Sequence, residues 1–156
     1  MLLLGLMPAA CASSDRPTVQ PAAGAADGAT NANSDPLEAS WDGTTLAVCG
    51  VNTYPSRCNA QQKVKITLLR NDNGRVTGYY ACSYGNQTCF RQNTTGKVTQ
   101  ATLSGNQLFI RVSCPDGTGM IFQGRVVNGD QISGGYTATT GGSVIESGIW
   151  RAARAY

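Results

Sequence analysis

Apolar and polar residues alternate along much of the chain with the period of two that is typical of half-buried β-strands. In "KVKITLLR" (63–70) the apolar Val64, Ile66 and Leu68 share one face, and "QLFIRVSC" (107–114) repeats the arrangement. No helical period competes with this alternation in the same part of the chain. The pattern therefore predicts an all-β domain.

Tight-turn dipeptides separate the alternating runs and set their number. Asn-Gly, Gly-Asn and Asp-Gly recur between the runs, and each favours a short hairpin connection. The predicted strands are 44–49, 63–70, 75–82, 97–103, 107–114, 119–127, 131–138 and 144–152. Because eight strands suffice to close a small barrel, we predict an eight-stranded antiparallel up-and-down β-barrel preceded by a disordered N-terminal tether.

The connections of such a meander fall alternately at its two ends. The short connections, which define the closed end, are 71–74, 104–106 and 128–130. The connections at the other end, the open end, are 50–62, 83–96, 115–118 and 139–143, and two of them are long. Any binding function is therefore expected at the open end.

The N-terminal segment "MLLLGLMPAACASSD" has the features of an export signal. Its short apolar run cannot span a bilayer but matches the core of a secretory signal. The ending "PAAC" resembles the lipobox of bacterial lipoprotein signal peptides, which implies a diacylated Cys11 as the first mature residue. Ala12 fits outer-membrane sorting in that family. The alternative is an ordinary cleaved signal with an incidental cysteine.

The residues after Cys11 lack any apolar period and are rich in Ala, Pro, Gly, Ser and Asn, which is typical of a disordered tether. We therefore predict a signal peptide over 1–10, a lipid-anchored linker over 11–40 and the barrel over 41–156. As a flexible coil, the linker would reach about 30 Å from a membrane. The predicted location is the bacterial cell envelope, on the periplasmic or surface face of the outer membrane.

The net charge of +3 conceals an asymmetry. Residues 1–40 hold one Arg against four acidic residues, a net charge of −3, whereas residues 41–156 hold eleven Lys and Arg against five acidic residues, a net charge of +6. The basic part of the chain could bind an anionic surface. We favour a solvated exterior because the charges do not cluster in sequence, and we expect no nucleic-acid partner because no basic run interleaves with aromatic residues.

Two short motifs bear a family resemblance. A Trp opens the first strand in "SWDG" (40–43), and basic residues follow Trp150 near the end of the last strand in "WRAAR" (150–154). With eight up-and-down strands, this resembles the calycin superfamily of lipocalins and avidins. The resemblance implies that Trp41 packs under Arg151 or Arg154 at the closed end, in a cation–π contact of about 0.5–2 kcal/mol. No ligand site follows from it.

Besides Cys11, five cysteines fall at the predicted open end, namely Cys49, Cys58, Cys82, Cys89 and Cys114. An exported protein meets an oxidising compartment, where disulfides are the default. The simplest pairing is Cys49–Cys58 with Cys82–Cys89, although other connectivities are open. Cys114 then remains as a small buried hydrophobic residue.

Catalytic and metal-binding motifs are missing from the sequence. The chain has no His, and it shows no phosphate-binding loop, nucleophile elbow or metal-ligand spacing. We therefore expect a monomeric protein that is not an enzyme and has no cofactor or metal.

The two long open-end loops carry the residue types that anchor interfaces. These residues are Tyr54, Arg57, Tyr84, Phe90 and Arg91. One hypothesis is a small apolar or saccharide ligand bound through the barrel mouth. Another is a protein partner, such as a lysozyme or protease that the barrel would inhibit, and a purely structural envelope role is a third. An apolar cavity beneath the open end would favour the small ligand, whereas a filled barrel with a disulfide-braced loop would favour the protein.

Native mass spectrometry of the protein purified from its source membrane tests the lipoprotein prediction. The expected intact mass includes a diacylglycerol on Cys11 together with the disulfides and any retained ligand. An intact mass without diacylglycerol would contradict the lipid anchor.

Overall fold

A computed structural model describes residues 35–50, 52–83 and 95–156, and these residues form a closed barrel of eight antiparallel strands in sequence order. The strands are β1 Ser40–Ala47, β2 Gln61–Arg70, β3 Val76–Ser83, β4 Thr95–Ser104, β5 Gln107–Ser113, β6 Gly119–Val127, β7 Gln131–Thr140 and β8 Ser143–Ala155. The predicted fold class is confirmed. Within the described ranges, no helix is long and apolar enough to cross a membrane.

The predicted alternation becomes the two faces of the barrel wall. Along β2, Gln62, Val64, Ile66 and Leu68 are buried, whereas the intervening residues are exposed or half-buried. The side chains of successive residues in a strand point to opposite faces, so each strand lines the interior with every second residue. The period of two is therefore the signal of a single buried face.

The short turns lie at the closed end, as predicted. Between β6 and β7, Asn128 and Gly129 have φ values of 51° and 77°, the left-handed conformation that primed hairpin turns require at both central positions. Asn tolerates this conformation and Gly adopts it freely. The Asn-Gly dipeptide thus determines where the chain reverses.

The expected Trp–Arg contact forms at the closed end. Strand β1 pairs with β8 so that Trp41 faces Arg154, and the Arg154 guanidinium carbon lies 5.2 Å from the Trp41 ring centroid. Arg154 Nε also donates to the Gly129 carbonyl at 3.2 Å. Of the two candidates, Arg151 instead lies exposed on the outer wall. The contact joins the first strand to the last.

Residues 35–39 cover the floor of the barrel and do not belong to the linker. Leu37 joins the hydrophobic core, and Trp41 Nε1 donates to the Pro36 carbonyl at 3.1 Å. Arg70 pairs with Asp35 and, at 3.3 Å, with Glu38. Burial alone would raise the pKa of Asp35, but the Leu37 N–H and Arg70 hold it below its usual value. Residues 35–39, which the predicted linker includes, therefore pack against the barrel.

Four aromatic rings from β3, β6, β7 and β8 fill the lumen at mid-height, and we call them the aromatic layer. The Phe122 ring centroid lies 5.9 Å from that of Tyr80, 6.0 Å from that of Tyr136 and 5.1 Å from that of Trp150. These separations are those of packed aromatic pairs. Opposite walls of the barrel thus touch through Phe122.

Replacing Phe122 by Ala should lower the free energy of unfolding by about 3–5 kcal/mol, because it opens a cavity among rings that cannot collapse onto one another. Phe109→Ala is the matched control, since Phe109 is on the same sheet but faces outward and is half-buried. We expect the control to cost about 1 kcal/mol or less. Urea denaturation measures both, and equal losses would contradict the central role of Phe122.

Candidate functional site

The connection between β1 and β2 folds over the open end and is held there by a disulfide. This segment, residues 48–60 with Val51 not described, is called the braced loop. The Cys49–Cys58 disulfide closes it, which confirms that pairing. It also contains a single 3-10 turn, Pro55–Arg57.

Hydrogen bonds attach the braced loop to the start of β8. Val48 N–H donates to the Ser147 carbonyl at 2.9 Å, and Tyr54 N–H donates to the Ile145 carbonyl at 3.2 Å. The Thr53 hydroxyl accepts from Ser147 N–H at 3.2 Å and donates to its carbonyl at 3.4 Å. The loop is therefore fixed to the barrel along its length.

A buried carboxylate lies beneath the braced loop. Glu146 is fully buried, and its Oε2 lies 2.8 Å from Arg57 Nε. Its Oε1 accepts from the Tyr136 hydroxyl at 2.5 Å. Arg57 thus points into the mouth and provides a counter-charge for Glu146. The sequence predicted Arg57 as a contact for a ligand or partner. Because both carboxylate oxygens are engaged, Glu146 joins Arg57 of the braced loop to Tyr136 of β7.

The inward position of Glu146 has a sequence signal that the strand analysis did not use. Glu146 has the same parity along β8 as Gly148 and Trp150, so alternation alone places it inside the barrel. A register shift between Ala138 and Thr139 on β7 also buries its neighbour Ile145. A β-bulge adds one residue to a strand, which explains two consecutive buried residues.

Three buried polar side chains lie side by side inside the barrel: Gln62 on β2, Thr45 on β1 and Trp150 on β8. Thr45 faces Gln62 on one neighbouring strand and Trp150 on the other. Among the described residues, Gln62 Nε2 and Trp150 Nε1 lack a hydrogen-bond partner, whereas the Thr45 hydroxyl interacts with the Tyr136 hydroxyl. Unpaired buried polar atoms are rare in native proteins and point to a bound water or ligand.

The tyrosines beside this row are held in their neutral form. Burial raises the pKa of Tyr80 above its usual value, with smaller contributions from Cys114 and Glu146. Burial also raises the pKa of Tyr136, and the neighbouring Glu146 carboxylate adds to the shift. Tyr136 therefore keeps its proton and donates it to Glu146 Oε1.

Exposed apolar side chains lie around the braced loop and form what we call the apolar rim. They are Tyr54, Val48 and Val144, with 55%, 47% and 41% of their surfaces exposed. The Tyr54 backbone bonds to Ile145, the residue after Val144, and the Val48 backbone bonds to Ser147, so the three residues lie along the start of β8. Tyr54 thus has the exposed position that the sequence predicted for a binding residue.

The other predicted site residues divide into two groups. Cys11, Tyr84, Cys89, Phe90 and Arg91 lie outside the described residues. Cys82 is disulfide-bonded, but its pairing with Cys89 stays a prediction. Cys114 is a buried free thiol, as expected, and burial together with the nearby Asp116 raises its pKa to about 11.

The described side chains offer no obvious metal site. No group of three or more Cys, Asp or Glu residues in the described ranges is arranged to hold an ion. Searches against protein-family models, curated proteins and solved structures found no significant match to this chain. The lipoprotein and calycin resemblances stay predictions.

A double-mutant cycle tests the buried ion pair. Arg57→Met should cost about 3 kcal/mol of stability, because it leaves Glu146 buried without a counter-charge. Glu146→Gln should cost less, since Arg57 lies closer to water. The double variant should lose less free energy of unfolding than the sum of the losses in the two single variants. Additive losses in urea denaturation would show that the two side chains act independently.

Proposed function

We propose that this protein is an exported binding module that recognises a partner protein through the braced loop and the apolar rim. The observation that carries the proposal is the rigid presentation of Tyr54. Its backbone is bonded to β8, its loop is closed by Cys49–Cys58, and its side chain is exposed. A loop fixed in advance loses little conformational entropy on binding, which favours affinity.

The interior of the barrel argues against a deep site for an apolar ligand. The aromatic layer brings rings from opposite walls into contact, so the lumen is filled at that level. Above it the mouth is polar, with Arg57 and Glu146 beneath the loop. A filled barrel with a disulfide-braced loop is the arrangement expected for the protein-binding hypothesis.

The shape and chemistry of the rim suit a concave partner. Tyrosine is among the residues that contribute most to interface affinity, and an isolated exposed Tyr needs a pocket to be desolvated. The two neighbouring valines would exclude water around it. The active-site cleft of a secreted hydrolase, such as a lysozyme or protease, has the concave form that such a loop could enter.

The location forms part of the same proposal. A lipid on Cys11 would anchor the chain in a bacterial envelope, and the linker would carry the barrel clear of the membrane. The Cys49–Cys58 disulfide supports an oxidising compartment. The Trp41–Arg154 contact supports a calycin-type barrel.

A second candidate function rests on the unpaired donor atoms of Gln62 and Trp150. They would suit a small polar ligand with acceptor groups, such as a saccharide, rather than an apolar one. A small molecule retained in the native mass spectrum of the purified protein would favour this candidate.

Inhibition assays against purified lysozymes and serine proteases test the proposed function. We expect inhibition of at least one of them, weakened about tenfold or more by Tyr54→Ala, as for other interface tyrosines. Tyr79→Ala is the matched control, because Tyr79 is exposed on the outer wall of β3, and it should leave inhibition unchanged. Absence of inhibition across both enzyme classes, or equal effects of the two variants, would refute the proposal.

A further inference from the structure

The outer wall of the barrel carries a trough where the first and last strands meet. It crosses β2, β1, β8 and β7, extends to residues of β3 and β6, and holds about 920 Å³. That volume lies in the range of ligand-binding sites. The trough is outside the lumen, because the lining residues include the outward-facing Lys63, Thr44 and Arg151.

Strand register arranges the charges of the trough in two rows. In the first row Lys63, Thr44, Arg151 and Ser133 lie side by side on four adjacent strands. The second row lies nearer the closed end and consists of Lys65, Asp42, Ala153 and Gln131, again side by side on the four strands. Neighbouring strands are about 4.8 Å apart, so Lys63 and Arg151 stand about 10 Å apart across Thr44.

The trough has a net positive charge. Its cations are Lys63, Lys65 and Arg151, and its carboxylate is Asp42, which lies 3.6 Å from Lys65. Within the described parts of the chain, neither Lys63 nor Arg151 has a carboxylate within ion-pair distance. These two cations are thus available to an external anion.

The floor of the trough is made of small side chains. Thr44 on β1 lies between Lys63 and Arg151. Ala153 on β8 follows Asp42 in the second row, and Ala81 on β3 lies beyond Lys65. Such a floor lets an extended chain approach the backbone, while the Lys and Arg stems flank it with apolar surface. The shape fits an extended, strand-like ligand.

We propose that this basic trough binds a linear anionic polysaccharide, with two carboxylates of the same chain meeting Lys63 and Arg151. Asp35 and Glu38, which precede β1, are not the occupant, because both already pair with Arg70 at the closed end. The trough is separate from the apolar rim, so the inference does not depend on the proposed function.

Titration calorimetry with the full-length protein tests the inference, using polygalacturonate and its methyl ester as probes. The two polymers share a backbone, but the ester lacks the charges. We expect binding of polygalacturonate alone, weakened by salt because exposed charges are screened. Lys63→Gln combined with Arg151→Gln should weaken it at least about fivefold. Asp42→Asn should strengthen it, and Tyr54→Ala should have no effect.

Lys97→Gln combined with Arg111→Gln is the matched control. It removes the same two charge types from exposed positions on β4 and β5, away from the trough. Thermal melts check that both double variants fold. Equal weakening by the two double variants would overturn the proposal, and so would no binding. Equal affinity for duplex DNA or for phosphatidylglycerol vesicles would also overturn it, because it would show general attraction to polyanions or to membranes.

Discussion

The pairing of β1 with β8 is the interaction on which the rest of the structure depends. It removes the last free sheet edges and turns a meander of hairpins into a closed wall. The same pairing brings Trp41 under Arg154 and places Thr45 beside Trp150. It also sets Lys63 and Arg151 on either side of Thr44 on the outer surface. The Trp41–Arg154 contact at the closed end, the row of buried polar side chains around Thr45 and the basic trough all depend on the pairing of β1 with β8.

Closure with eight strands also limits what the interior can hold. A barrel of this size has a lumen about wide enough to be filled by side chains or to hold one small ligand. Here Phe122 contacts rings from three other strands, so the middle of the lumen is occupied by the protein itself. The surfaces left for recognition are the mouth, its rim and the outer wall, and for that reason both proposed interaction surfaces lie outside the core.

The braced loop owes its position to a buried ion pair as well as to a covalent bond. The disulfide closes a short loop, and in the chain-entropy model it contributes about 2.5 kcal/mol by restricting the unfolded chain. Arg57 and Glu146 determine where that loop lies. Burial of Glu146 is costly without a counter-charge, so the loop that carries Arg57 is held over the mouth. Tyr54, three residues earlier, is thereby kept at the rim.

Alternation and turn dipeptides by themselves determined the number of strands, their order, their inward faces and the division into a closed and an open end. These properties are local, because side-chain direction repeats every two residues and an Asn-Gly turn reverses the chain where it stands. Cys49–Cys58 was also predictable, since the two residues flank one loop. Tertiary structure alone decided that Arg57 turns inward, that residues 35–39 seal the floor and that cations from β2 and β8 share one trough. Each of these depends on which residues become neighbours when the first and last strands meet, and no local pattern records that register.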